Sequence, residues 1–510
     1  MPQAATEKNI PQLVIPPPAV ARHPETIVHI KELQEWLADL PLADPENLVN
    51  ALYKQLKLLI RDPRPNNKYA ELVNAYHPAI NHIQSLVWRY LRQPKKHKMS
   101  PRLRATIAQL LLELACGHMR LINQDIIQGK SPKADNLYHA IVPMVRLIQW
   151  DILQYKLTRP AIWRQILHVF AITELYQVGG DHIESQLKLD SDPEDTHGVF
   201  FSLLALLLSD PYRLPDAQQH VLISGLGQFS DHLYANHNDE TPHHILLDFS
   251  GLQPPLSLAR QQLAPKKLRY LQLNDFLQQV EQQGFNNDEN NTVSHWLLSS
   301  LRALTKLKSA SEGRLSSRHA QLADFHFLQG LSQVHNRLQE RQPGHHNSDN
   351  QQTGIYLDEE DDDISPMLGT PCRQIEQSST GLSFVIHDKQ HVPKVGDWLI
   401  LEASPQFNQQ HTDYLVVQIR RRLQREDSSD EIGVEKLRGS VIPVILGLNA
   451  NIGLLNIDEA SNTFQLITNQ GNFLAGQEQS LHSEQGNFAI RYEQLLESGN
   501  NSERIRITLV

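Results

Sequence analysis

The spacing of apolar residues changes period once along this 510-residue chain, and that change limits the folds open to it. Over residues 26–308 the apolar positions recur every three or four residues. Leu33, Trp36, Leu37 and Leu40 form one stripe, Leu48, Leu52, Leu56 and Leu59 the next, and Leu72, Tyr76, Ile80, Ile83 and Val87 a third. This is the period of an α-helix with one face buried. Further helices are predicted over 104–127, 132–157, 160–178, 196–209, 215–233, 271–283 and 292–308, punctuated by proline, glycine and aspartate. After a small polar joint at 309–317 the period drops to two: Leu322, Asp324, His326 and Leu328 alternate with Ala323, Phe325 and Phe327, as in a strand. Leu331, Val334, His335 and Leu338 then space a short helix. From Pro366 onward, short apolar runs at 398–401, 413–419, 441–446, 452–457, 463–468 and 505–510 alternate with polar turns. Such spacing suits a small barrel with strands appended.

The predicted organisation is α+β and multidomain. It comprises a disordered tail (1–24), an all-α helical bundle or hairpin array (25–308), a joint with a strand and short helix (309–341), an acidic disordered linker (342–366) and a β-barrel with a C-terminal β extension (367–510). The prolines at 11, 16, 17, 18 and 24 forbid a helix in the tail. The run from Asp358 to Asp363 repels itself and stays solvated. Ser224-Gly225-Leu226-Gly227 lacks a following lysine and is predicted to end or kink a helix.

Charge and cysteine usage exclude several function classes. With 47 Lys and Arg against 57 Asp and Glu, the net charge of −10 argues against DNA or RNA as a partner, because such binding works by displacing counterions from a basic surface. The two cysteines, Cys116 and Cys372, imply no disulfide framework and fit a reducing cytoplasm. The N-terminus has no apolar signal core and no apolar run reaches the length of a membrane span. The expected location is therefore cytoplasmic, without direct membrane insertion, and a partner could recruit the chain to a membrane or polar complex. No catalytic constellation is present, so no enzyme is expected. His243-His244 and His345-His346 are adjacent pairs without the spacing of metal ligands, and no metal site is predicted.

One stretch carries more specific information. Between Ile375 and Leu382 lies Glu376-Gln377-Ser378-Ser379-Thr380-Gly381, which reads as strand, tight turn, strand. It resembles the (Asp/Asn)-x-Ser-x-x-Gly turn of PilZ domains. Arg314-Leu315-Ser316-Ser317-Arg318 precedes the first predicted strand and resembles the Arg-x-x-x-Arg segment of that family. Val395-Gly396-Asp397-Trp398-Leu399, Val416–Arg422 and Glu431-Ile432-Gly433-Val434-Glu435 resemble three further PilZ strands, in the family's order. In the helical half, Trp163–His168, Glu174-Leu175-Tyr176 and Ser202–Leu214 are similar to a proteobacterial family of PilZ-type effectors with an N-terminal α-helical domain.

The resemblance implies a barrel that binds cyclic-di-GMP as a ligand rather than a cofactor. Arg314, Arg318, Glu376, Ser378 and Gly381 are then the ligand-binding residues, with Arg337, Arg341, Arg373 and Arg420 as secondary contacts. The chemistry agrees, since guanidinium forks pair with phosphates or guanine edges and a glycine turn lets backbone N–H groups approach. The family role implied is signal transduction controlling motility, type IV pilus function or biofilm attachment, through an unidentified protein partner of the helical domain. Glu376 departs from the Asp or Asn of the pattern, and a helix and the acidic linker interrupt the path from arginines to turn. These departures favour an alternative, a degenerate PilZ-like scaffold that binds no nucleotide and acts through its helical domain. A further hypothesis is that the acidic run occupies the arginine pocket in the absence of ligand. Neutralising Asp358–Asp363 should then tighten cyclic-di-GMP binding in a titration, and unchanged affinity would remove the idea.

Overall fold

The structure, a computed structural model, describes residues 11, 13–63, 68–92, 99–187, 192–236, 244–248, 268–286, 288, 291–305, 319–341, 369–403, 414–425, 427–447, 451–471, 473–484, 486–498 and 502–510. The predicted acidic linker and the Arg314–Arg318 segment lie outside the described residues. The chain divides into two compact units, Met1–Pro211 with Asp216–Gly313, and Tyr212–Pro215 with Arg314–Val510.

The first unit holds α1 (Ile30–Ala38), α2 (Pro45–Ile60), α3 (Tyr69–Asn74), α4 (His77–Arg92), α5 (Pro101–Ile127), α6 (Ala134–Leu153), α7 (Pro160–Tyr176), α8 (Thr196–Leu208) and α9 (Asp216–Gly225). Strands β1 (Tyr234–Asn236), β2 (His244–Asp248) and β3 (Leu268–Gln272) follow, then α10 (Asn274–Gln283) and α11 (Thr292–Thr305). Local chemistry sets the boundaries. Asp44 caps α2, Ser100 caps α5 ahead of Pro101, and the Asp195 carboxylate accepts the Gly198 N–H at 2.8 Å at the start of α8. The third predicted stripe is two helices, α3 and α4. Pro78 has no N–H to give the Asn74 carbonyl, so the helical ladder breaks there. As expected, α9 ends at Gly225, and a 3-10 turn runs from Leu226 to His232.

Helix α8 is apolar on most of its surface and every residue in it but the half-buried His197 is buried, which makes it a core helix. Phe200 stacks on Phe170 with ring centroids 3.9 Å apart. Among the described residues α5 is the one helix long and apolar enough to cross a membrane. Its apolar stretch is more than half buried in this fold, against α2 and α6.

Two features of this unit were not read from the sequence. Strands β1, β3 and β2 pair antiparallel into a small sheet within the helical region. The proline-rich stretch, predicted as a disordered or extended tail, is extended from Leu13 to Pro24, and its docking on the helices is what the sequence did not show. Leu13 is buried and its carbonyl accepts from Asn123 at 3.2 Å, and Arg22 pairs with the buried Asp62 at 2.8 Å. Proline forbids helix but leaves the extended conformation free to dock.

The second unit contains β4 (His319–Gln329), α12 (Leu331–Glu340), β5 (Thr370–Gln377), β6 (Gly381–Ile386), β7 (Trp398–Ala403), β8 (Tyr414–Gln424) and β9 (Asp430–Lys436). It continues with β10 (Ser440–Leu446), β11 (Asn451–Asp458), β12 (Thr463–Asn469), β13 (Glu478–Ser483), β14 (Gly486–Ser498) and β15 (Ser502–Leu509). Strands β4-β5-β6-β9-β8-β7 close one barrel, all neighbours antiparallel. The predicted appended strands close a second barrel of their own, in the order β10-β11-β12-β15-β14-β13. Its interior is the inward set Ile442, Val444, Leu446, Leu455, Leu466, Leu481, Ile490, Tyr492, Ile505 and Ile507.

Helix α12 joins the barrels. Gly330, at φ +93, turns the chain out of β4 through a backbone conformation that side chains with a Cβ disfavour. The apolar face Leu331, Val334 and Leu338 then packs with Trp398, Ile400 and Val416 of the first barrel and Leu454 and Ile467 of the second. Trp398 fills the centre, and its indole N–H donates to Ser502 of β15 at 3.1 Å. Trp398→Ala should cost the barrel unit about 3–5 kcal/mol. The check is urea unfolding followed by β-sheet circular dichroism; a loss below about 1 kcal/mol would show that the seam is not a shared core.

Candidate functional site

Strands β5 and β6 meet in the turn Ser378–Gly381. The Ser378 N–H donates to the Gly381 carbonyl at 2.8 Å, and the Ser378 hydroxyl accepts the Gly381 N–H at 3.1 Å. The turn is tied to β9 because the Lys436 N–H donates to the Thr380 carbonyl at 3.0 Å. Gly381 is needed for clearance: a Cβ there would lie 2.3 Å from the Val434 carbonyl oxygen. Three residues predicted at the ligand site, Glu376, Ser378 and Gly381, are thus brought to one end of the β5–β6 hairpin. Glu376 is half-buried at a bulge, opposite Ala320 of β4 and Ser383 of β6. The turn-closing bonds come from Ser378 itself. Arg314 and Arg318 lie outside the described residues. The described part of β4 opens at His319, whose partner across the sheet is Gln377, the residue before the turn.

The secondary arginines fall in three places. Arg337 and Arg341 project from α12 onto one carboxylate. Arg337 donates to both Glu402 oxygens, at 2.8 and 3.1 Å, and Arg341 reaches the same group at 2.9 Å while lying over the Tyr414 ring. Arg337 also holds Glu340 at 2.8 Å. Arg420 bridges the two barrels, with Glu435 of β9 on one side and Glu497 of β14 on the other, each at 2.6 Å. Arg422 pairs with the buried Asp430 at 2.9 Å. Arg420 and Arg422 lie within β8, which runs on to Gln424. Arg373 is exposed on β5. The central glycine turn is present as expected: Gly396, at φ +92, leads into β7, and its N–H donates to the Ile419 carbonyl at 2.9 Å.

Electrostatics follow from these contacts. Burial raises the Glu402 carboxyl, but hydrogen bonds and charge from Arg337 and Arg341 outweigh it and hold the group below the ordinary glutamate value. Those same hydrogen bonds, from Glu402 and then Glu340, raise Arg337 further. Burial pushes both free thiols, Cys116 and Cys372, up to about 12, which leaves them poor nucleophiles.

Among the described residues, three buried histidines also meet in the helical unit: His77 of α4, His118 of α5 and His139 of α6. Burial, reinforced by the neighbouring rings, pushes His77 far down and His118 down to about 3, so both are neutral. The sequence reading missed this cluster, since 41 residues separate the first two members. Of the adjacent pairs it weighed, His243, His345 and His346 lie outside the described residues and His244 opens β2.

The chain thus combines a helical unit with two closed barrels and carries a glycine turn at one end of the first barrel. Residues 31–236, from α1 to β1, match the family described as "Cyclic-di-GMP receptor FimW, N-terminal domain". This match supports a cyclic-di-GMP effector with an N-terminal helical domain, as the sequence resemblance implied for the helical half. It covers less than half of the chain and ends before both barrels. The matched family is described as a receptor, not as an enzyme. No curated protein matches the chain.

The Glu402 clamp sets a pH dependence. Its folded-state pKa lies below the ordinary 4.5, so its stabilisation is complete above that value and is lost as the pH falls through the lowered one. The thermal stability of the barrel unit should therefore fall below about pH 4.5. Glu402→Gln should flatten that part of the profile, and an unaltered profile in the variant would assign the acid loss elsewhere.

Proposed function

We propose that the chain is a cyclic-di-GMP effector of PilZ type, with its ligand seated at the Ser378–Gly381 end of the first barrel. Arg314 and Arg318 supply the guanidinium groups, and Ser378 and the turn backbone supply polar contacts. The observation that carries this reading is the register of β4. His319 pairs with Gln377 beside the turn, and Arg318 is bonded directly to His319, one Cα step of about 3.8 Å away. The order of arginines, strand and glycine turn that the PilZ resemblance requires is therefore compatible with one site. The FimW-type match of the helical region supports the same ligand from an independent part of the chain. Ligand binding would favour one state of the helical unit over another and so change what it offers a protein partner controlling motility or surface attachment.

A specific observation favours a second reading, a scaffold that has lost the nucleotide. The turn is closed by its own Ser378, and Gly381 is required by the Val434 carbonyl, so the motif has a complete structural explanation without ligand.

Isothermal titration of the full chain with cyclic-di-GMP, with GTP as control, separates the two. On the effector reading, binding is micromolar or tighter, about 8 kcal/mol or more, and Arg314→Ala/Arg318→Ala weakens it at least roughly tenfold. Arg337→Ala/Arg341→Ala should change it little, because those arginines already hold Glu402. Absence of both heat and thermal shift would leave the scaffold.

A further inference from the structure

The three-histidine cluster is built like a metal site. His77, His118 and His139 come from three different helices, and one ring nitrogen from each lies within 4.8 Å of the others. All three side chains are at least nine-tenths buried. The rings crowd together, with centroids 4.4 Å apart for His77 and His139 and 5.1 Å apart for His118 and His139. Nε2 of His77 and Nε2 of His118 approach to 3.0 Å. Two imidazole nitrogens on a tetrahedral zinc sit roughly 3.3 Å apart, given bonds of about 2.0 Å.

The surroundings match as well. Nδ1 of His118 lies 3.3 Å from Asn136 Oδ1, an acceptor, which fixes the proton on Nδ1 and leaves the Nε2 lone pair facing the cluster. Nε2 of His139 lies 2.7 Å from Ser185 Oγ, which also accepts the Leu187 N–H at 3.0 Å. Oriented outer partners of this kind hold metal-binding imidazoles in place. The remaining nitrogen of His139, Nδ1, is buried and lies 3.3 Å from Asp135 Oδ1. A cation at the cluster would take one lone pair from each ring and gain the nearby Asp135 carboxylate as a counter-charge.

We propose that His77, His118 and His139 bind one divalent transition-metal ion of the zinc class, with Asp135 offsetting part of its charge. Three imidazole nitrogens select such an ion over calcium or magnesium, which prefer oxygen. The depth of the site makes the ion a structural tie between α4 and the α5–α6 pair. The proposal is independent of the cyclic-di-GMP reading.

The test uses the full chain, stripped with a chelator and reloaded with Zn2+. About one zinc per chain should survive desalting, and loading should raise the melting temperature by on the order of 5 °C. X-ray absorption at the zinc edge should show imidazole nitrogens at about 2.0 Å. His77→Gln keeps a side chain able to hydrogen-bond His118 but removes a ligand, and should weaken zinc binding at least tenfold. Should that variant fail to fold, the absorption spectrum of the wild type decides alone. No retained zinc and no thermal shift would overturn the proposal. So would equal zinc affinity in a folded His77→Gln, which would locate the zinc on surface histidines and leave the cluster as neutral packing.

Discussion

The barrel unit depends on the apolar seam around α12. A ten-residue helix is too short to be stable on its own, and its strongly polar outer face gives it no independent core. It exists because Leu331, Val334 and Leu338 are buried between two closed barrels, with Trp398 as the common filler. The same burial fixes the helix's rotation about its axis. That rotation turns Arg337 and Arg341 to the β7 side, where Glu402 receives both. The ion cluster is therefore a product of the seam, not an independent source of order, in keeping with the small net worth of partly exposed salt bridges.

Closure explains why both barrels can be small. An open six-stranded sheet presents two unpaired edges, and pairing β4 with β7, and β10 with β13, removes them. In the first barrel this puts β4, which precedes α12, beside a strand some seventy positions later.

Much of this was legible in the residues. The switch of period marked the change from helices to strands, and the α12 face Leu331, Val334, His335 and Leu338 is the buried set found in the structure. The glycine turns at 381 and 396 and the helix end at Gly225 were visible because glycine beside a change of pattern marks a turn or helix end whatever contact requires it. What escaped was non-local or weakly patterned. Strands β13 and β14 are polar and half-exposed, with burial alternating around only a few apolar residues, so their signal was too faint to suggest a second closed barrel. The docked segment after Leu13 looked loose because proline content reports the absence of helix and not the absence of contact. The histidine cluster was invisible because its members share no helix and no repeat. Convergence of three separate helix faces is a property of the tertiary fold alone. The carboxylate partners of Arg337, Arg341 and Arg420 were hidden for the same reason.

Gly381 has a consequence for how such motifs should be interpreted. Its missing side chain makes room for a carbonyl of the neighbouring strand, so replacing it would strain the barrel whether or not anything binds there. Selection for a folded protein would then be enough to hold the Ser-x-x-Gly signature in place long after a nucleotide had ceased to visit. In barrels built this way the glycine records an architectural debt, and its presence alone does not report a ligand.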